Sequence, residues 1–581
     1  MANLVSPGYK ESKLVNQVLA PYEERFIEFL GLDRKPVISD GEMSNMWNLT
    51  SDNYPLLTPR KPRGKYALPD DVTIPLQIMT RFGKVAMIAK DENNAVNFYY
   101  NKNKIAAVTG LTEQTRMAII NTKICFFPQK TYLEVTSNAT TVTIGSYGNL
   151  EEKYTASTAI DVEIDTNNVR VTLGADHNFK YDDAVDINGT LYFTEGGSQS
   201  TATCNVSCII EEVTGRILSL PRDTFIELIG TEATDVTFVG VIKREMPDLD
   251  FVIEWNNRLW GASSLDNTIY ACKLGDPRNW TYYQGTSMDS YYAQQGTDGV
   301  WTGCAPYSSH IIFFKQNSMT KVYGSSPSSF QIVNVQCYGV EEGSRRSVAV
   351  FNDRVFYKSI MGIMAYDGGI PYCISDNFNI TFKNVVGGCD GKKYYASIQD
   401  ANGYELMVLD IEKALWHKED NIRMQDVCTL DNKLLFIAFD SDPLKCSNDA
   451  ICSEWLLCGS GNPSSGDVHI VNPDNAYEDA SAMTWMAVFG PFDEFVENRK
   501  IYSKILLRLA REAESEVSIY ISINEGDWEL VQKFSPTSTG GDYIPIIPRR
   551  CDRYSIKIEG KGACSIKSLT RCVRRGTGGR L

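Results

Sequence analysis

Seven short units of one kind recur along this chain, and they restrict its fold more than any other feature. Each is a turn pair followed by a run of β-forming apolar residues. They centre on Phe82-Gly83-Lys84, Asn121-Thr122-Lys123, Asn256-Asn257-Arg258, Ser308-Ser309, Asn352-Asp353-Arg354, Asp390-Gly391-Lys392 and Asp431-Asn432-Lys433. In six of the seven a basic residue follows the pair, and it opens strands such as RLWGA, RVFYKS, KKYYAS and KLLFIA. Asn, Asp and Gly tolerate positive φ, so such pairs between β-formers are hairpin turns. Lys84 to Lys123 is 39 residues, Arg354 to Lys392 is 38 and Lys392 to Lys433 is 41, while the 96 residues from Arg258 to Arg354 hold two units. A period of about 40 to 48 residues with four short strands per unit is that of a β-propeller. One four-stranded blade leaves two apolar faces, and only neighbouring blades can cover both. The clearest copy is Phe251–Trp280, whose runs FVIEW, RLWGA and TIYA read as an antiparallel meander. Its Trp255, Trp260 and Trp280 are expected to pack the blade and not to form a ligand box.

Composition agrees with many short strands. Tyr (30) and Phe (24) are plentiful and Gly (43) outnumbers Pro (22), which favours strands over helices. A formal net charge of −15 disfavours a protein that grips nucleic acid, because such a domain needs a basic face to displace counterions. It is compatible with a wall past which DNA slides without sticking. Residues 1–32 lack the pattern of a signal peptide, and no apolar run approaches the roughly 20 residues that span a bilayer. The fifteen scattered cysteines read as reduced thiols.

The repeats divide the rest of the chain. Residues 1–72 are expected to hold one helix and an extended docking arm. Pro21 stands at the helix start, Tyr22, Phe26 and Leu30 share a face, and Gly31 caps the end. The proline-rich stretch Met43–Arg63 then needs another surface to lie on. Residues 73–145 hold the first blades and 242–472 the remaining ones. The interval between Lys123 and Arg258 is too long for one blade, so 146–241 reads as a small β-domain inserted in a propeller loop. Beyond 473, alternation at Ile505, Leu507 and Leu509, at Val517, Ile519 and Ile521, and at Tyr554, Ile556 and Ile558 indicates a C-terminal β-sandwich. It ends in a basic tail carrying Arg571, Arg574, Arg575 and Arg580. The expected fold is therefore all-β: a propeller of six or seven blades with an inserted small β-domain, the N-terminal arm and the C-terminal sandwich.

No residue set satisfies the demands of catalysis. His177, His310, His417 and His469 are far apart, and a working base needs an orienting partner and a cleft. Cys446, Cys452 and Cys458 lie six apart near Asp440, Asp442 and Asp449, a spacing poor for zinc, and it assigns them no role. Cys204 and Cys208 share one face of a strand, where packing explains them as readily as ligation. Gly275–Trp280, GDPRNW, distantly resembles the Asp-containing turns of sialidase propellers but lacks their Ser-x-Asp start. Asp248 and Asp250 do not by themselves make an acid/base pair. The basic patches Arg60–Lys65 and Arg549–Arg553 read as solvated or subunit-contact faces against so acidic a background. No catalytic, cofactor-binding or metal-ligating residue is assigned, no cofactor is expected, and the chain reads as a non-enzyme.

The segments NLTSDNYPLLTPRKPR, MPDLDFVIEWNNRLWGAS, TIYACKLGDPRNW, IIFFKQNSMTKVYGSSPSSFQIV and RVFYKSIMGIMAYDGG resemble a family of bacteriophage tail β-propeller virion proteins. These are the tail nozzle, or tail tubular, proteins of short-tailed phages and the packaged-DNA stabilisation hub proteins. The resemblance covers about Met43–Pro62 and Met246–Gly369, is looser in the sandwich and carries no motif in the insert. It implies six blades and a structural role. The protein would form a ring, expected to be a hexamer, around the DNA channel, helping to retain and then deliver the genome. Its partners would be other copies of itself, a tail adaptor or connector ring, and tail fibres or tip proteins, with DNA passing through without specific binding. Its place would be the virion tail, after assembly in the host cytoplasm. Two other readings stand beside this one. The many Tyr and Trp residues fit a glycan-binding adhesin that contacts the host surface, and a propeller glycosidase would need a carboxylate pair in a pocket.

Overall fold

The structure is a computed structural model of the chain and describes residues 22–138, 141–439, 466–493, 500–511, 514–535 and 544–575. Each of the seven turn units joins the first two strands of a separate four-stranded antiparallel sheet. The first strands of these blades are Val72–Arg81, Arg116–Ile120, Phe251–Trp255, Trp301–Pro306, Ala349–Phe351, Lys383–Cys389 and Arg423–Leu430. Each contacts the next, and the last contacts the first, so seven blades close a ring. The turn residues take the backbone their chemistry favours: φ is 50° and 57° at Asn256-Asn257 and 49° and 60° at Asp431-Asn432.

The ring is closed by the arm. Blade 7 takes three strands from Arg423–Leu430, Lys433–Phe439 and Asp467–Ile470, and its outer strand is Gly64–Tyr66. Lys65 pairs with His469 in that register. Between blades the core is continuous. Trp255 and Trp260 pack with Phe313 of blade 4, while Leu259 and Trp280 pack against Ala118 and Ile120 of blade 2. Arg258–Ser263 is buried along its whole length because neighbours cover both faces. The three tryptophans are 7%, 0% and 1% exposed, which removes them as ligand-contacting residues.

The C-terminal sandwich consists of two sheets. Cys564–Arg575 lies in the first, beside Lys500–Arg511, with Ile544–Cys551 beyond it. Thr484–Phe492, Tyr554–Lys561, Glu516–Ile523 and Glu529–Phe534 build the second. Each sheet gains an edge strand from the arm, Tyr22–Phe26 on the first and Met43–Trp47 on the second. The helix expected from Pro21 to Leu30 is not formed in its described part. Tyr22–Phe26 runs antiparallel to Cys564–Arg575, with Phe26 opposite Leu569. Sheet pairing supplies what a helix could not: Glu23 meets Lys504, Glu24 meets Arg571, and Phe26 packs against Phe489 and Phe492. Gly31 is no helix cap; at φ 84° it brings the backbone onto blade 6, where a Cβ would lie 2.5 Å from the Trp416 carbonyl oxygen.

The insert is a seven-stranded sheet with one short helix, Asp223–Ile229. It runs from Glu152 to Arg244 and not over 146–241. Val142–Asn149 pairs instead with Thr131–Ser137 as the outer strand of blade 2. The tail is likewise reassigned in part, since Arg571 belongs to a central strand and is buried in ion pairs with Glu24 and Asp40. Arg580 lies outside the described residues.

Gly560 tests the sandwich packing. It stands directly across from Trp485, and any Cβ there would collide with the indole. Gly560→Ala is expected to cost about 1–3 kcal/mol, read as a shifted midpoint in denaturant unfolding.

Candidate functional site

The stretch Asn48–Arg63 forms the most densely bonded junction between propeller and sandwich. On the propeller side, Lys393 of blade 6 donates to Thr50 Oγ1 (2.6 Å) and Asp52 Oδ1 (2.5 Å), and Ser51 Oγ donates to Asp410 (2.5 Å). On the sandwich side, Asn48 Nδ2 donates to the Thr484 carbonyl (2.9 Å), and Leu57 bridges Ile566. Arg60 is the pivot, because its Nε bonds Asn48 Oδ1 (2.8 Å) while its Nη1 pairs with Glu478 (2.6 Å).

Arg63 completes this latch. Its two Nη atoms pair separately with Asp420 (2.5 Å) and Glu419 (2.6 Å), and its backbone N–H donates to Glu478 (2.8 Å). Burial would lower the Arg63 pKa, but Asp420 and Glu419 raise it. Against the upward push of burial, hydrogen bonding and charge from Arg60 bring Glu478 down to about 2. A cavity of about 20 Å³, room for one water, lies among Thr50, Asp52, Arg60, Arg63, Lys393 and Glu419. The patch Arg60–Lys65 is therefore largely a buried ionic latch within one chain, which corrects its reading as a solvated or subunit-contact face. Lys61 and Lys65 keep their exposure, the latter paired with Asp467. Arg549 and Arg553 remain at the surface, paired with Glu529 and Glu525.

GDPRNW is a second clamp, holding the insert to blade 3. Asp276 accepts from Arg278 Nε (3.1 Å), Arg278 Nη2 (2.9 Å) and Asn279 Nδ2 (2.7 Å). Arg278 in turn reaches Asp183 of the insert (3.0 Å), which also pairs with buried Arg244. Asn279 Oδ1 accepts from the Ala184 backbone N–H (2.8 Å), and Lys273 pairs with Asp182. The carboxylate that resembled a sialidase turn is thus engaged in the structure of this junction. Asp248 and Asp250 diverge, one to Lys130 (2.7 Å) and the other to Ser264 (2.5 Å).

The histidines sit in four different places. His177 is in the insert, and burial lowers its pKa. His310 of blade 4 contacts the Tyr366 hydroxyl (2.9 Å) and is lowered to about 4 by burial and Lys321. His417 of blade 6 is lowered to about 3 by burial and Lys393. His469 stacks on Phe436 in blade 7 and is lowered by burial and Arg63. His310 and His417 are buried, whereas His177 and His469 are half-buried, and burial favours the neutral imidazole in each. Burial pushes the Cys204 thiol up to about 11 and that of Cys208 to about 12, so both are protonated. Cys446, Cys452 and Cys458, with Asp440, Asp442 and Asp449, lie outside the described residues. Sequence reasoning missed the latch acids Glu419, Asp420 and Glu478, since nothing local marks them as partners of a distant arm.

No protein family and no curated protein matches this chain. Among solved structures it is similar to Hsv2 of Kluyveromyces lactis, at 12% identity over 41% of this chain and 66% of that chain, TM-score 0.25. It is similar to the β-propeller domain of the Trilobed protease from Pyrococcus furiosus, at 10% identity over 63% and 91%, TM-score 0.26. It also resembles the Pyrococcus horikoshii acylaminoacyl peptidase, at 9% identity over 63% and 49%, TM-score 0.28. These likenesses carry no argument about function, and the β-propeller rests on the seven sheets themselves.

The latch has a pH dependence of definite sign. The folded Glu478 carboxyl titrates near 2 against 4.5 as its ordinary value, so its stabilisation is present above pH 4.5 and is lost as pH falls from there toward 2. Glu478→Gln should lower Tm at pH 7 and flatten that acid limb in a series of melting curves. Arg63→Ala, which leaves Glu419 and Asp420 without their cation, should cost about 3–5 kcal/mol in denaturant unfolding.

Proposed function

We propose that this protein is a structural subunit of a bacteriophage tail, one member of a ring around the DNA channel that helps to retain and then deliver the genome. The observation that carries this reading is the position of Asn48–Arg63. One of the two stretches that resemble phage tail propeller proteins is also the one that joins propeller to sandwich through the latch. A subunit of a pressurised conduit needs its domains tied into one body, and buried charge pairs and shared sheets do this better than a flexible linker.

Acidic net charge supports the same reading, since a wall of that sign does not hold passing phosphate backbones. Ring closure requires a heterologous, head-to-tail interface between copies, with an adaptor ring on one side and fibres or tip proteins on the other. The DNA channel would run between subunits, because the first strands of the seven blades pack side by side around the propeller's own axis. Electron microscopy of the purified protein, or of virions that contain it, should show a closed ring with an axial pore. A protein that remains monomeric in every condition, virions included, would remove the proposal.

A second reading, contact with host glycans, is favoured by one surface. Tyr181, Tyr283 and Tyr292 are exposed where the insert meets blade 3, and the last two form an edge-to-face pair 5.9 Å apart. Exposed aromatic faces beside carboxylates such as Asp186 suit the apolar faces and hydroxyls of sugars. On this reading the intact protein binds members of a glycan array, and Tyr283→Ala with Tyr292→Ala abolishes binding without lowering Tm. Silence across the array from the assembled protein would discard it.

A further inference from the structure

The mouth of the propeller axis, on the side where the first strands begin, concentrates positive charge in an otherwise acidic protein. Arg345 and Arg346 lie on one 3-10 turn, Arg345–Ser347, which contacts the first strands of blades 4 and 6. From this turn the two guanidiniums diverge. Arg345 Nη1 donates to the Asp250 carbonyl just before blade 3 (2.9 Å), and Arg346 Nη1 donates to the Gln425 carbonyl of blade 7 (2.6 Å). Arg116, the first residue of blade 2, is oriented by the carbonyls of Thr115 (2.8 Å) and Glu113 (3.2 Å). Backbone oxygens thus aim all three forks without neutralising them.

Carboxylates do not compensate. Arg34, Arg60, Arg63, Arg244, Arg278 and Arg571 each form an ion pair. Among the described residues no acidic side chain stands within 4.0 Å of Arg116, Arg345 or Arg346. The neighbouring carboxylate is Asp426 of blade 7, and its Oδ2 accepts from the Ile78 backbone N–H of blade 1 (2.9 Å). Arg423, stacked over Tyr404, adds a fourth positive charge close enough to act on Arg346. Burial and the nearby Arg346 lower the Arg116 pKa to about 10, as expected where like charges crowd a poorly solvated space. Arg116, Arg345, Arg346 and Asp426 all keep partial exposure, so the mouth is reachable from solvent. Several half-buried guanidiniums facing one lone carboxylate form a cation excess that is stable when an anion shares it.

We propose that Arg116, Arg345 and Arg346 form an anion site at this axial mouth, taking a small multivalent oxyanion of the phosphate class. Planar guanidiniums held by carbonyls from three directions suit a tetrahedral oxyanion better than a planar carboxylate. The ion has two possible sources, free phosphate or a terminal phosphoryl group of a larger molecule. The inference rests on the fold alone and does not depend on the tail assignment.

Calorimetric titration of the full-length protein at low ionic strength tests it, with inorganic phosphate in one arm, a 5′-phosphorylated oligonucleotide in a second and chloride as control. Saturable phosphate binding is expected, with Kd raised about tenfold in Arg116→Gln and in Arg346→Gln. Asp426→Asn, which keeps the acceptor for Ile78 but removes the opposing charge, should tighten binding. Phosphate should raise Tm in the wild type and not in the arginine variants, whereas their Tm in chloride should equal or exceed that of the wild type, since a repulsive charge has gone. Oligonucleotide affinity equal to that of phosphate assigns a free ion, and tighter binding assigns a terminal phosphoryl group. Absence of saturable phosphate binding, or affinity unchanged in both arginine variants, overturns the site. Should the arginine variants fail to fold, an unaltered affinity in Asp426→Asn overturns it equally.

Discussion

The pairing of Gly64–Tyr66 with Asp467–Ile470 is the constraint on which the molecule depends. A propeller is a closed sheet assembly whose ends must meet, and otherwise blade 7 would lack its outer strand and expose an unpaired edge. Here the outer strand comes from the beginning of the chain and the other three from a region some 400 residues later. Ring closure therefore has to await both, and the blades between them are stabilised together. Gly64 is suited to the position, because a Cβ would fall 2.6 Å from Pro473.

Charge organises the two remaining junctions. Arg60 and Arg63 meet Glu419, Asp420 and Glu478 where arm, blade 6 and sandwich converge, and Arg278 and Arg244 meet Asp183 where the insert sits on blade 3. Buried ion pairs add little net stability beyond what apolar packing would supply, but they are strongly directional, and a misplaced partner leaves a costly unpaired charge. They fix how separately packed cores are set against one another. The largest apolar cluster does the complementary work, merging Phe26, Met43 and Leu57 of the arm with blades 5 and 6 and both sandwich sheets. The axial mouth differs from these junctions, because its arginines are fixed by carbonyls and, among the described residues, no carboxylate lies within ion-pair distance of them.

The propeller was legible because its information is local. Turn pairs such as Asn256-Asn257 and Asp431-Asn432 demand positive φ at set positions, and the apolar runs beside them fall at a constant period. The turn count left six or seven blades open, and the structure closes the ring with seven, one more than the phage tail resemblance implies. The insert was visible as an interval too long for one blade, though its edges slipped by a few residues because the outer strand of blade 2 has no distinctive pattern.

What the sequence determined by itself was therefore the set of hairpins, the period of the blades and the alternation of the sandwich strands. Each of these depends on residues within a few positions of one another. Tertiary structure alone decided the rest. Tyr22–Phe26 has a helical spacing of apolar residues yet pairs as a strand, because Lys504, Arg571 and Phe489 wait on a sheet built hundreds of residues later. Arg60 and Arg63 look like a surface patch until Glu419, Asp420 and Glu478 are brought to them from more than 350 positions away. The partner of a charge is set by where the chain returns, and local pattern holds no record of that return.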